Sequence, residues 1–450
     1  MSKRIVVVGG LAAGPSAASK AARTNGSASV VLLEKSPHTS YGICEIPYFI
    51  SGEVDGSRLV SYTPDALKER KQVDARAHHL VEEISPGKRF VSVRNLKTGK
   101  TNQEYYDRLI LATGARSKRL NVEGEDARNL FFVRWLDDAY QLKTYLQEEK
   151  PKTAVVIGAG YVGLEMTEAL TRCGLQVTVL HKSSLPLSYM EHEVRERIRS
   201  IIDGQGVQFH GMVRTEGFVL GRDRKVTHVV TSEGTFDCDL VIECVGVEPQ
   251  TELATAVGIR TGSFGGILAD QRQETNIDNI LAAGDCCEVR NIINKKMMYL
   301  PLATISSKTG WVAGENAAGG NAVFRGAIRA IAIRVFGLEV IQVGISSEEA
   351  RDSGFDVVVD SITAWSKVGI MPGATKLTVV TIADRKSKRL LGANIYGSEG
   401  AVLRGNTLAV AIQQGISVDD IQQWDLAYSP PFTPLWDPIL VAANSLRKKL

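Results

Sequence analysis

The chain carries six cysteines, at positions 44, 173, 238, 244, 286 and 287, and their spacing gives neither a C-x-x-C pair nor a zinc pattern. Most cysteines are small buried hydrophobes. Cys44 has a different context, the run Ser40-Tyr41-Gly42-Ile43-Cys44-Glu45-Ile46-Pro47-Tyr48. Proline is tolerated in the first turn of a helix, so Pro47 predicts a helix beginning beside it, with Cys44 at or just before the first turn. A thiol there meets the positive end of the helix dipole. That predicts a lowered pKa and a thiolate able to attack a disulfide sulfur.

The second chemistry written in the chain is dinucleotide binding. Gly158-Ala159-Gly160-Tyr161-Val162-Gly163 follows the apolar run Ala154–Ile157 and precedes a helix that is expected to end near Cys173. The three glycines allow a tight turn, close approach of a pyrophosphate and helix-strand contact, with the helix N-terminus facing the phosphates. The next strand, Val177–Leu180, ends at His181 and Lys182 rather than at an acid. No carboxylate stands there to repel a 2′-phosphate and a cation does, which predicts use of NADPH, alone or alongside NADH.

An earlier turn, Gly9-Gly10-Leu11-Ala12-Ala13-Gly14, departs from that fingerprint. Leu11 stands where the middle glycine belongs, so its side chain must turn away from the phosphates. Glu34 ends the following strand, in the place of a ribose-binding carboxylate. Asp285 follows Gly284 at the end of a third apolar run and suits the ribityl chain of a flavin.

Positioning these groups takes two strand-turn-helix-strand units, opening at Ile5 and at Ala154. Runs ending at Ala112-Thr113-Gly114 and at Gly284-Asp285 return to the first unit, so the second nucleotide domain reads as inserted in the first. The expected organisation is α/β with two Rossmann-like, glutathione-reductase-like domains: flavin binding at 1–115 and 246–325, nicotinamide binding at 116–245. Alternating apolar segments such as 356–360 and 377–381 predict an α+β dimerisation domain over 326–450. A length of 450 residues allows three such domains. The net charge of +3, from 53 basic and 50 acidic residues, gives no reason to expect nucleic acid or a membrane surface as partner. No run is apolar enough to span a bilayer, no metal-ligand set is evident, and the start MSKRIVVVGG enters a strand directly. A cytoplasmic protein is expected.

As an ordered set, Gly9 to Gly14, Glu34, Cys44, Ala112-Thr113-Gly114, Gly158 to Gly163 with Glu165, Gly284-Asp285 and Tyr428 resemble the flavoprotein pyridine nucleotide–disulfide oxidoreductases over nearly the whole chain. The resemblance is to the single-cysteine branch: coenzyme A disulfide reductases, persulfide reductases, and NADH oxidases and peroxidases. It implies FAD, a nicotinamide cosubstrate and a homodimer with shared active sites. It also implies that the cofactor sites take in Lys35, Val81, Gly246 and Ala303. Dithiol members carry a second cysteine five residues after the first, where this chain has Phe49. Cys44 is then implied to cycle through a mixed disulfide with a small thiol or through a sulfenic acid. Oxidases and peroxidases of the branch have a histidine where Ala12 stands, and the coenzyme A disulfide reductases have alanine.

The resemblance further implies basic residues for the phosphates of coenzyme A. Lys20 and Arg23, three apart on the first helix, and Arg70-Lys71 are the candidates, with Ser40 beside the sulfur. Tyr428, in Asp425–Phe432, is implied to reach the partner's sulfur and protonate the leaving thiolate. Relatives have a tyrosine pair where Ile370-Met371 precedes Pro372-Gly373, and an asparagine where Ile43 stands. The expected function is NAD(P)H-dependent reduction of coenzyme A disulfide or a coenzyme A persulfide. An oxidase or peroxidase working through a Cys44 sulfenic acid and a non-catalytic redox-sensing flavoprotein are the alternatives.

Overall fold

A computed structural model of the protein describes residues 3–450. Short apolar runs build two five-stranded sheets. In the first, Arg4–Val8 lies between Ser29–Leu33 and Arg108–Leu111, with Asp74–Arg76 and Ile280–Ala282 outside them, all parallel. In the second, Thr153–Ile157 lies between Gln176–His181 and Leu240–Glu243, flanked by Gln208–Gly211 and Leu130–Phe131, again parallel. Both central strands are buried on both faces, as continuous apolar runs in parallel sheets must be. Truncating a fully buried side chain such as Ile110 to alanine costs ~2–5 kcal/mol.

The chain passes from one sheet to the other through Ala115–Ser117 and returns through Val247–Pro249, and these two strands pair with each other antiparallel. The α/β class with one nucleotide unit set within the other is therefore the observed architecture. A third five-stranded sheet is antiparallel throughout: Ala330–Val335, Leu338–Gly344, Leu390–Gly397, Lys376–Asp384 and Val357–Trp365 in spatial order. Helices Ala401–Gln414 and Pro438–Arg447 bury Leu408, Ile412, Ile439 and Leu446 in the core beneath it.

Two contacts decide where the site sits. The small-residue helix Ala13–Thr24 lies against the helix Ala303–Ala317, where a Cβ at Gly310 would come within 2.3 Å of the Ala13 carbonyl oxygen. Only small side chains allow that approach. The short helix Ile46–Ser51 buries Ile46, Phe49 and Ile50 with Leu142 and Leu164 of the inserted domain. The segment carrying Cys44 is thereby held at the junction of the two nucleotide units. Among the described residues, no helix is long and apolar enough to cross a membrane.

Candidate active site

A cavity of about 2790 Å³ runs along the C-terminal ends of both parallel sheets, and Cys44 stands on its wall with Gly9 to Ala13, Asp285, Gly158 and Glu165. At its first end, Gly9 takes φ +111° and a Cβ there would meet the Ala112 carbonyl oxygen at 2.1 Å, so glycine is required. Gly14 is closed in the same way by the Gly9 carbonyl oxygen, at 1.8 Å. Glu34 ties the turn together: Oε2 accepts from Gly10 N–H at 2.6 Å and Oε1 from Ser36 N–H at 2.7 Å. Leu11 packs with the apolar cluster around Ile46, which answers how a side chain is accommodated at a phosphate-facing turn.

Asp285 is fixed on three sides. Arg134 Nη2 donates to its Oδ2 at 2.7 Å, Ser306 Oγ donates to its Oδ1, and Tyr299 O–H donates to its carbonyl oxygen at 2.9 Å. The neighbouring Gly284 N–H donates to Thr309 Oγ1 at 3.0 Å. Thr113 and Gln250 exchange hydrogen bonds of 2.6 and 2.8 Å, which close the floor beside Gly114. Lys35, Val81, Ala112 and Ala303 also line this half.

The second half repeats the device with one change. Gly158 has φ +105°, and a Cβ at Gly163 would lie 1.9 Å from the Gly158 carbonyl oxygen, whereas a Cβ at Gly160 would meet nothing within 4 Å. The middle position alone faces open space, as a turn that cradles a pyrophosphate requires. Where Glu34 serves the first turn, His181 Nδ1 accepts from Ala159 N–H at 3.1 Å. Burial, then the cations Lys182 and Arg195, hold the imidazole pKa down at about 4. The ring is therefore neutral at pH 7 and Nδ1 is free to accept. Lys182, Tyr161, Val162 and Gly246 line this half of the cavity. Glu165, in the second turn of the helix Tyr161–Arg172, has its carboxyl pKa raised to about 7 by burial and by Glu168, against a lowering by Arg334.

Cys44 directly precedes Glu45, the N-cap of the helix Ile46–Ser51, so Pro47 marks the helix start as the sequence indicates. The expected fall in thiol pKa is not found. Cys44 is open to the cavity, yet protein hems the sulfur closely enough to push its pKa up. Glu165 and Glu45 push the same way, Asp285 adds to them, and Arg134 opposes them. A helix of six residues offers a weak dipole, and burial of the sulfur, then the neighbouring carboxylates, outweigh it.

Of the bases proposed for substrate phosphates, Arg23 and Lys71 line the cavity, as does Ser40. Lys20 does not. Its ammonium pairs with Glu315 at 2.8 Å and lies 4.2 Å over the Trp311 ring, which spends it on the helix Ala303–Ala317. Tyr428 is 48% exposed and stands outside the cavity wall of its own protomer, on a surface with Ile370 at 91% and Phe432 at 78%. Arg134 was not anticipated, because its partner Asp285 lies 151 residues away in the chain.

Among the described residues, five buried polar atoms of the cavity lining lack a hydrogen-bond partner: Ser40 Oγ, Arg134 Nε, Tyr161 O–H, His181 Nε2 and Glu243 Oε2. Buried polar groups are ordinarily paired, so the cavity suits ligands rich in phosphate, hydroxyl and amide groups. The residues present thus fit FAD at the Gly9 turn and a nicotinamide nucleotide at the Gly158 turn.

Comparison with known proteins agrees. The family model "pyridine nucleotide-disulphide oxidoreductase" matches residues 3–310, and that family's dimerisation-domain model matches 332–437. The chain is 31% identical to a NAD(P)H coenzyme A polysulfide/persulfide reductase of Pyrococcus horikoshii, over 99% of both chains. It is 28% identical to a coenzyme A disulfide reductase of Staphylococcus epidermidis, over 96% of both. It is also 28% identical to an NADH oxidase of Methanocaldococcus jannaschii, over 99% of both. Two glycine turns on parallel sheets, one exposed sulfur between them and a matching C-terminal sheet make this chain a member of the pyridine nucleotide–disulphide oxidoreductase family, an NAD(P)H-dependent flavoprotein oxidoreductase.

Proposed function

We propose that the protein reduces a low-molecular-weight disulfide, coenzyme A disulfide or a coenzyme A persulfide, through Cys44. The observation that carries this reading is the exposed Cys44 thiol on the wall of the cavity that holds both nucleotide turns, with the buried Phe49 where a second sulfur would be needed for an internal disulfide; the other cavity-lining cysteine, Cys244, is less exposed. The relatives named above as coenzyme A persulfide and disulfide reductases support the substrate class. Arg23 and Lys71 are cavity-lining cations for its phosphates, and Lys182, beside the second turn, is a cation for the 2′-phosphate of NADPH.

The Cys44 thiolate attacks one sulfur of the disulfide RS–SR. The S–S bond breaks, a Cys44–SR mixed disulfide forms, and RS⁻ leaves and takes a proton. Two electrons then reduce the mixed disulfide to the Cys44 thiolate and a second thiol. FAD, when bound, relays those electrons from the nicotinamide. The protein's share is to orient the sulfur and supply the proton, the donor being Tyr428 of the partner subunit. A homodimer supports that role, because the exposed Ile370, Tyr428, Phe432 and Trp436 lie on the region matched by the dimerisation model. The proposed domain limits are flavin binding at 1–115 and 246–325, nicotinamide binding at 116–245 and dimerisation at 326–450.

The test is steady-state turnover with coenzyme A disulfide, coenzyme A persulfide, other small disulfides and oxygen, each with NADH and NADPH. Turnover with a coenzyme A species, without matching oxygen uptake, is expected. Oxygen uptake equal to NAD(P)H consumption, with no gain from any disulfide, would replace this reading by an oxidase, which Ala12 disfavours. Turnover with no acceptor would leave a redox-sensing binding protein.

A further inference from the structure

Beside the helix that follows Cys44, three domains meet at a small cluster of charges. Glu53 follows the cysteine helix, Glu165 and Glu168 lie one turn apart on the helix Tyr161–Arg172, and Arg334 reaches in from the strand Ala330–Val335. Arg334 Nη2 grips both oxygens of Glu53, at 2.7 and 2.9 Å, and its Nε stands 3.5 Å from Glu168 Oε1. Its guanidinium lies 4.9 Å from the Tyr48 ring centroid. Arg172 donates to the same Glu168 Oε1, through Nε at 3.0 Å and Nη2 at 2.8 Å, and approaches Glu53 at 3.6 Å. Glu168 Oε2 accepts from Phe336 N–H at 2.6 Å.

Three carboxylates thus stand beside two guanidiniums. Glu53 and Glu168 occupy both, and Glu165 has no hydrogen bond or ion pair of its own among the described residues. Glu165 is also the member that lines the main cavity with Cys44.

We propose that Arg334 is a positioning residue for the cysteine chemistry: from the C-terminal domain it locks Glu53, Glu168 and the Tyr48 ring, and through the Glu165 carboxyl it sets the charge that faces the Cys44 sulfur. This rests on Cys44 being the reactive thiol. The directions of the shifts support it. Arg334 lowers and Glu168 raises the Glu165 carboxyl, and Glu165 is the strongest charge acting to raise the Cys44 thiol. The other charges facing the sulfur are Glu45 and Asp285, which raise it, and Arg134, which lowers it. Tyr48, which lines the same cluster, is itself raised by burial and by Glu165, against Arg334.

The experiment is the pH profile of Cys44 alkylation by iodoacetamide, read by peptide mass in the full-length holoprotein, for wild type and R334Q, R334K, E53Q, E165Q and R334Q/E165Q. Wild type should show two inflections, the lower near pH 7, the point at which Glu165 ionises. R334Q should move the lower inflection up by about one pH unit, the size of effect expected on losing an opposite charge nearby. R334K, which keeps the charge, should hold it close to the wild-type position. E53Q, which frees Arg334 toward Glu165, should move it down, so the proposal stays testable if R334Q folds poorly. E165Q should give one inflection and a lower thiol midpoint, and R334Q should add nothing in that background. An unmoved lower inflection in folded R334Q and E53Q, or an equal R334Q effect with glutamine at 165, overturns the proposal. Disulfide turnover retained by Cys44→Ser would instead sink the functional reading, leaving the alkylation shifts to be read independently.

Discussion

His181 Nδ1 accepts a hydrogen bond from Ala159 N–H at 3.1 Å, the place that Glu34 Oε2 fills for Gly10 N–H at 2.6 Å in the other nucleotide turn. One unit secures its turn with a carboxylate and the other with a neutral ring. The second unit thus has no carboxylate at the end of the strand Gln176–His181, where the cation Lys182 follows.

Lys182 is the residue proposed to choose the nucleotide. Lys182→Ala is expected to raise KM for NADPH about 10–100-fold, the loss of one charge-assisted hydrogen bond of ~1.5–3 kcal/mol, and to leave KM for NADH within about twofold. Steady-state kinetics with both nucleotides check this. Equal effects on the two would show that Lys182 does not read the 2′-phosphate.

The neutral state of His181 has a cost in acid. Its folded pKa of about 4 lies below the ordinary 6.5 of an unfolded histidine, so the unfolded chain takes up the proton first. The stability tied to the neutral ring is complete above pH 6.5 and is lost as pH falls from there toward about 4. His181→Gln keeps an acceptor for Ala159 N–H without a titrating group. Its urea midpoint should fall less than that of wild type between pH 7 and pH 5, and parallel losses would show that His181 is not the group responsible.

The three glycines of the second turn do different work and separate experimentally. Gly163→Ala forces a Cβ to within 1.9 Å of a backbone oxygen and should lower Tm markedly. Gly160→Ala meets no protein atom within 4 Å and should leave Tm within about 1–2 °C while raising KM for the nicotinamide nucleotide at least about tenfold. Thermal melts with steady-state kinetics check both, and unchanged KM in Gly160→Ala would mean that no phosphate approaches that backbone.

Much of the site was legible because local rules write it. Pro47 fixed the helix start beside Cys44, and each glycine turn announced its strand and helix. What stayed hidden depends on contacts across the chain. Arg134 reaches Asp285 only after the sheets assemble. Lys20 and Arg23 share a helix, but spacing alone does not say that the helix Ala303–Ala317 claims Lys20 through Glu315 and Trp311. The thiol at Cys44 was read from its own helix, whereas Glu165, the strongest charge acting on it, comes from the inserted domain.

The most direct test of the account is the Cys44→Ser variant, assayed for bound FAD and for NAD(P)H-driven reduction of coenzyme A disulfide and persulfide. The account predicts full FAD content, because no flavin-side contact described above uses the sulfur, and disulfide reduction lowered at least about a thousandfold, the scale of losing a covalent nucleophile. Turnover within a few-fold of wild type would contradict it.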